Sequence, residues 1–335
     1  MPKLPLFDYM QYRLPLLVAV LALAVQPTLA QHFSLSRLFY PNVTLKAEYA
    51  VPSPMGNSQE YGLSKAGFLG IIPLQSEVQL GFSLKKKLDL RAVHTVMLAQ
   101  YNQLQPTIGG IDNPENGYKT LSLGVLRMQA SIKDKLWVYG GGLGITETNE
   151  TLFTPQPFIW GGGARMHILG LKTQILYGSI LAYNQKIKFV PVFGINKGIG
   201  KQWRISALLP FMVNANYKAT KWFNMDMFAG LNGYSGGFQV QTPEEKLLRR
   251  ENYRQIKLGL SGNVHVFSVL NVSVEAGLST FRQVRTFNSA RENLTSYTPQ
   301  ATPYIGASVR YITHRSKFSS KFIRKMGIGQ TGINW

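Results

Sequence analysis

The chain has 335 residues and a mass of 37.5 kDa; it is 45% hydrophobic and 16% charged, with 32 glycines and no cysteine. That composition excludes a disordered solvating protein, a disulfide-stapled secreted module and a cysteine-ligated metal site. Lys and Arg outnumber Asp and Glu by 36 to 16, a formal net charge of +20, which points to nucleic acid, anionic lipid or anionic solutes as partners.

Residues 1–30 read as a secretory signal. Lys3 and Arg13 supply positive charge, and Leu14–Val25 is an apolar run of about 12 residues, shorter than the roughly 20 that a bilayer-spanning helix needs. Gln26-Pro27-Thr28-Leu29-Ala30 breaks the helix and ends in small residues suited to cleavage before Gln31. No cysteine follows for a lipid anchor. Export makes nucleic acid an unsuitable partner and leaves outer-membrane lipid, lipopolysaccharide and anionic solutes.

Beyond Gln31 no apolar run is long enough for a helical span, and a period of two recurs instead. Val43, Leu45, Ala47, Tyr49 and Val51 oppose Thr44, Lys46 and Glu48; Val78, Leu80, Phe82 and Leu84 oppose Glu77, Gln79 and Ser83. Leu84–Leu98 is ambiguous, because Lys85, Lys86 and Lys87 interrupt the alternation and read as a turn or a basic flank. Phe158, Trp160, Gly162, Ala164, Met166 and Ile168 form an apolar face against Arg165 and His167. Ile187–Ile195 and then Trp203–Val213 continue the pattern, each as one strand, with Lys188 and Arg204 on the polar side. Further along, Ile256, Leu258 and Leu260 oppose Lys257, Ser261 and His265; Val272, Val274 and Ala276 oppose Ser273 and Glu275; and Ile305, Val309 and Tyr311 oppose Ser308 and Arg310.

Several of these segments are about 10 residues long, the length of a tilted strand crossing a bilayer. Short connections at Pro73–Ser76, Ile132–Lys135, Leu169–Leu171, Lys197–Gly200 and Ser268–Val269 alternate with long ones at Pro52–Glu60, Asn102–Gly117, Thr146–Gln156, Gly236–Glu251 and Thr286–Pro299. Short turns on one side and long loops on the other predict an all-β, antiparallel transmembrane β-barrel of about 12 to 14 strands in the bacterial outer membrane. The barrel is expected over residues 31–313, followed by a basic tail or short last strand at 314–335. Trp137, Tyr139, Tyr183, Trp203, Phe211 and Trp222 fall near strand ends, as interfacial aromatics do. Gly140–Gly142 and Gly161–Gly163 sit inside strand patterns and lack the lysine and helix of a phosphate loop, so they read as places of close approach.

If the apolar faces meet lipid, the polar faces line the lumen. The lumen candidates are Lys46, Glu48, Arg127, Arg165, His167, Lys188, Arg204, Asp226, Lys257, His265, Glu275 and Arg310. Their basic excess favours anions inside a low-dielectric wall, provided that the charges do not pair off and close the lumen. His265 and Glu275 stand on strands joined by a short turn and are candidates for a His–carboxylate pair. No zinc-protease spacing or paired-carboxylate spacing supports a metal, and no cofactor is implied.

His314-Arg315-Ser316 resembles in part the His-x-Ser element near the end of outer-membrane lipid A deacylases, in which the two residues act with a downstream Glu on an acyl ester. No Asp or Glu follows Glu292 here, so the acid that would orient the histidine is missing from that part of the sequence. Arg315–Lys325 interleaves Phe318 and Phe322 with basic residues, a pattern suited to anionic headgroups or to a solvated tail. The region Pro157–Tyr217, through its PVFGI strand at Pro191–Ile195, Trp203 and Leu209-Pro210, is similar to a group of uncharacterised Gram-negative outer-membrane barrels carried as a domain of unknown function. That resemblance implies fold and location and brings no active site. The expected function is a passive conduit or binding protein for small solutes, with anions favoured. A closed-barrel scaffold or receptor using its loops, and a lipid A deacylase-like hydrolase, are the alternatives; no enzyme activity is expected.

Overall fold

A computed structural model describes residues 41–312 apart from 57–58, 83–87, 109–110, 113–116, 132–135, 149–155, 171–172, 185, 242–245, 267–268 and 289–291. The expected signal segment at residues 1–30, Lys85–Lys87 and the expected tail with His314, Ser316 and Trp335 lie outside the described residues.

Sixteen strands form among the described residues. They are β1 Asn42–Gly56, β2 Gln59–Phe82, β3 Leu88–Ile108, β4 Ile111–Asp112, β5 Tyr118–Ser131 and β6 Leu136–Thr148. Next come β7 Gln156–Gly170, β8 Thr173–Asn184, β9 Lys186–Ile199, β10 Trp203–Leu209 and β11 Met212–Lys218. The last are β12 Phe223–Gln241, β13 Lys246–Val266, β14 Leu270–Phe287, β15 Asn293–Tyr297 and β16 Thr302–Ile312. Short β4 pairs only with β3, and short β15 only with β14. The other 14 strands are antiparallel neighbours in sequence order, and β16 pairs with both β1 and β14, so the sheet closes as a barrel with no free side edge around its lower rim. The lower end is the one where Asn42 faces Ile312.

The exposed outer face is apolar. Leu45 on β1 is 59% exposed, and Ile187 and Phe189 on β9 are 74% and 67% exposed. Val43, Tyr49, Trp203, Ile205, Met227, Leu260, Val274, Ile305 and Val309 repeat the pattern around the circumference. A ring of large apolar side chains of this extent is stable against lipid and a hazard in water. The polar alternates of β1, β13, β14 and β16 turn inward, as period two demands.

Four local readings of the sequence change. Trp203–Val213 is two strands: the chain turns at Pro210-Phe211, closed by Phe211 N donating to Leu208 O at 2.7 Å, because Pro210 has no N–H to give a continuing ladder. Pro73–Ser76 is no turn: β2 runs through it with a bulge between Pro73 and Gln75, which accommodates the missing donor. Much of the expected long loops at Pro52–Glu60 and Gly236–Glu251 is strand, since β1 reaches Gly56, β2 starts at Gln59, β12 reaches Gln241 and β13 starts at Lys246. The fourth concerns β7, where Phe158, Trp160, Ala164 and Met166 are buried inside and Ile159 faces out. Trp160 fits inside because Gly142 on neighbouring β6 and Gly124 on β5 beyond it leave room: a methyl group on either would stand 2.8 or 2.7 Å from its ring.

Wall height is uneven. β2 has 24 residues and β3 and β13 have 21 each, while β10 and β11 have 7 each. A tilted strand needs about 9 to 11 residues to cross a bilayer, so the β10–β11 hairpin falls short while its flanking strands continue. Residues 193–199 of β9 pair with β10, and residues 224–230 of β12 pair with β11. Above the hairpin, β9 pairs only with β8 and β12 only with β13.

Candidate functional site

The interior has three levels. At the lower end Asp226 accepts hydrogen bonds from Asn216 Nδ2 at 2.7 Å, Asn263 Nδ2 at 2.8 Å and Asn214 Nδ2 at 3.2 Å. Asn263 Oδ1 accepts from Ser273 Oγ at 2.6 Å, and Arg204 Nη1 donates to Asn196 Oδ1 at 3.3 Å. These side chains, with inward Arg310, are buried. His265 and Glu275 do not meet. Asn224 Nδ2 lies 2.9 Å from His265 Nε2, whereas Glu275 sits opposite Ser261, four residues further along β13 and so about 13 Å away.

The middle level gathers four of the sequence-predicted residues. Lys46 Nζ lies 3.1 Å from Glu275 Oε1 and 3.7 Å from Glu48 Oε2, and Lys257 Nζ donates to Glu48 Oε1. Lys257 Nζ also stands 4.3 Å from the ring centroid of Tyr304. Lys257 is wholly buried, and buried charges persist in such a place only when paired and hydrogen-bonded.

The upper level is a tyrosine cluster that sequence reading did not assemble. Tyr61 stacks on Tyr253 at 5.2 Å, and Tyr234 reaches across from β12 to Tyr118 on β5 at 5.1 Å. Tyr61 Oη donates to Glu251 Oε1 at 3.2 Å, and Tyr234 Oη donates to the same oxygen. Arg282 locks this layer, with Nε donating to Tyr253 Oη at 2.9 Å, Nη2 to Tyr61 O at 2.9 Å and Nη1 to Gln300 O at 3.0 Å and to Ser53 Oγ. A register shift in the β13–β14 pairing, with Phe281 at φ 48°, turns Arg282 inward where simple alternation from Val274 would send it out.

Three predicted lumen residues face the other way. Arg127 is exposed opposite exposed Tyr139; Arg165 lies with its guanidinium 5.8 Å from the Trp137 ring; and His167 Nε2 lies 3.0 Å from Tyr177 Oη. They follow from the reversal of β7 and from the same inward packing on β5, where Leu126 and Met128 are buried. On the outside they form a basic–aromatic zone of the kind that seats headgroups at a membrane interface.

Lys188 belongs to neither set. It lines a cavity of about 530 Å³ together with Arg254, and no acidic residue is among the cavity's lining. Phe158, Thr120, Asn232 and Tyr234 contribute from the inner face, while exposed Leu231, Arg254 and Phe281, with Pro210 and Phe211 of the hairpin turn, contribute from the wall's outer side and the notch. Asn232 is 7% exposed; its Oδ1 accepts from Gly233 N at 2.8 Å, and its Nδ2 has no acceptor among the described residues. The size falls within the range of small-molecule sites.

No protein-family model matches the chain, and no curated protein does. Among solved structures, an outer-membrane channel from Pseudomonas putida F1 is 8% identical, covering 82% of this chain and 96% of that one, at a TM-score of 0.37. OccK7 (OpdD) of Pseudomonas aeruginosa is 8% identical, covering 82% and 99%, at 0.31. The P. putida toluene transporter TodX is 7% identical, covering 82% and 90%, at 0.25.

Proposed function

We propose that the protein is a bacterial outer-membrane barrel that binds small solutes and passes them across the wall, with anions favoured, and that it is one of the uncharacterised Gram-negative barrels that residues 157–217 resemble. The observation that carries this reading is the cavity that holds Lys188 and Arg254 with no carboxylate in its lining. Two cations at one gap attract an anion and repel a cation by the same field. The apolar outer face supports the location, with outer-membrane lipid and lipopolysaccharide as the surrounding partners.

The test is reversal potential in a planar bilayer under a salt gradient, with full-length protein whose folding is verified by a heat-dependent gel shift. The expected result is a small anion-selective current that loses selectivity in the Lys188→Gln/Arg254→Gln variant. A cation-selective current, or selectivity unchanged in that variant, refutes it. A second reading is a closed scaffold or receptor working through its upper loops; it is favoured by the buried Lys46–Glu48–Lys257–Glu275 cluster and the tyrosine layer. Electrical silence from demonstrably folded protein supports that second reading over the first.

A further inference from the structure

The cavity touches both faces of one strand: Leu231 is on the outward side of β12 and Asn232 and Tyr234 on the inward side. A single space can do this only by passing round the strand's edge. Ladder pairing of that edge ends at Gly230 and its last bond to the hairpin is Leu231 N donating to Phe211 O at 2.8 Å, so the edge has no β11 partner beyond Leu231, where the β10–β11 hairpin stops at Pro210-Phe211. The facing edge of β9 is likewise unpaired with β10 above Phe193, and its outward residues Ile187 and Phe189 are among the most exposed apolar side chains of the belt. The gap therefore opens sideways within the apolar belt.

The walls of this gap differ in chemistry along its depth. Pro210, Phe211, Leu231 and Phe281 offer apolar surface at the lipid side. On the inward side Lys188 and the unmatched Nδ2 of Asn232 offer positive charge and a hydrogen-bond donor, and exposed Arg254 on the outward side of β13 adds a second cation at the mouth. A buried amide donor without an acceptor is costly and is relieved by a ligand that accepts. Donors and cations without any acid define an anionic head, and the apolar mouth defines a tail.

We propose that the gap above the β10–β11 hairpin is a lateral portal and binding site for a single-chain anionic amphiphile, whose carboxylate is held by Lys188, Arg254 and Asn232 while its chain rests against Phe211, Leu231 and Phe281. The proposal deepens the anion-binding reading above and rests on it. The ligand exchanges with the membrane, so an open axial pore is unnecessary.

The test uses the full chain folded into lipid vesicles, with fluorescent displacement titrations of dodecanoate, dodecanol and acetate. Dodecanoate is expected to bind at least tenfold more tightly than dodecanol or acetate. Lys188→Gln/Arg254→Gln should weaken dodecanoate at least tenfold, and Phe211→Arg should weaken it while leaving acetate unchanged. Arg127→Gln/Arg165→Gln removes the same charge from the outer face and should leave binding intact. If dodecanoate and acetate bind equally through Lys188 and Arg254, the anion reading stands and the portal is refuted. If dodecanol matches dodecanoate, or neither anion binds, both fail.

Discussion

Replacing Arg282 by Met tests whether the upper layer is held as described. The side chain is fully buried and donates four hydrogen bonds, to Tyr253 Oη, Tyr61 O, Gln300 O and Ser53 Oγ, linking β14 to β13, β2, β1 and the segment before β16. Hydrogen bonds from a charged donor contribute about 1.5 kcal/mol each at the low end, or roughly 6 kcal/mol for the set. Returning the guanidinium's hydration offsets several kcal/mol of that. The net expectation is a loss of about 3 kcal/mol, read as a lower urea midpoint for unfolding from lipid vesicles, followed by gel mobility and tryptophan fluorescence. Arg282→Lys keeps the charge but loses the fork, so it should fall between Met and wild type. Protease cleavage near residues 298–301 should also rise, because Gln300 O loses the guanidinium. A midpoint for Arg282→Met corresponding to less than about 0.5 kcal/mol would refute the assignment of Arg282 as the lock, since changes of that size are typical of surface sites.

Lys257→Met should cost about 3 to 5 kcal/mol because it removes the hydrogen-bonded partner of buried Glu48, and Lys257→Met/Glu48→Gln should recover part of this in a double-mutant cycle; additive losses would contradict the pair. Gly124→Ala should destabilise by about 1 to 3 kcal/mol by pressing on Trp160, and Trp160→Phe should relieve it, with urea midpoints as the readout; no relief would place the clash elsewhere. A nitroxide at Arg165→Cys should show the oxygen accessibility of a lipid-facing site, and one at Arg204→Cys that of a buried interior; the reverse would invert the face assignment.

The barrel class was legible because period two is a property of the chain alone: Leu45 and Tyr49 must part from Lys46 and Glu48 in any strand, whatever surrounds it. Lys46, Glu48, Lys257 and Glu275 could be assigned one face from that rule, and their meeting needed only the β1–β16–β14–β13 neighbourhood that closure creates. Alternation divides two faces without saying which is inside. On β7 both faces carry apolar residues, and Trp160 turns inward because Gly124 and Gly142, on strands up to 36 residues earlier, leave space for it. Arg165 and His167 were misplaced by that ambiguity.

The cavity was less legible still. Pro210 was a visible signal for the hairpin, since an interior proline argues against a continuous strand, but the consequence depends on how far β9 and β12 run past it. Arg282 offered no local signal: the register shift beside Phe281 reverses its direction, and a shift in register belongs to a pair of strands. The sequence by itself determined the antiparallel barrel class and the polar–apolar partition of most strands, because hydropathy and pleat are local. Only the tertiary structure decided wall height and the cation-lined gap, because each depends on which strands are neighbours and where their pairing stops.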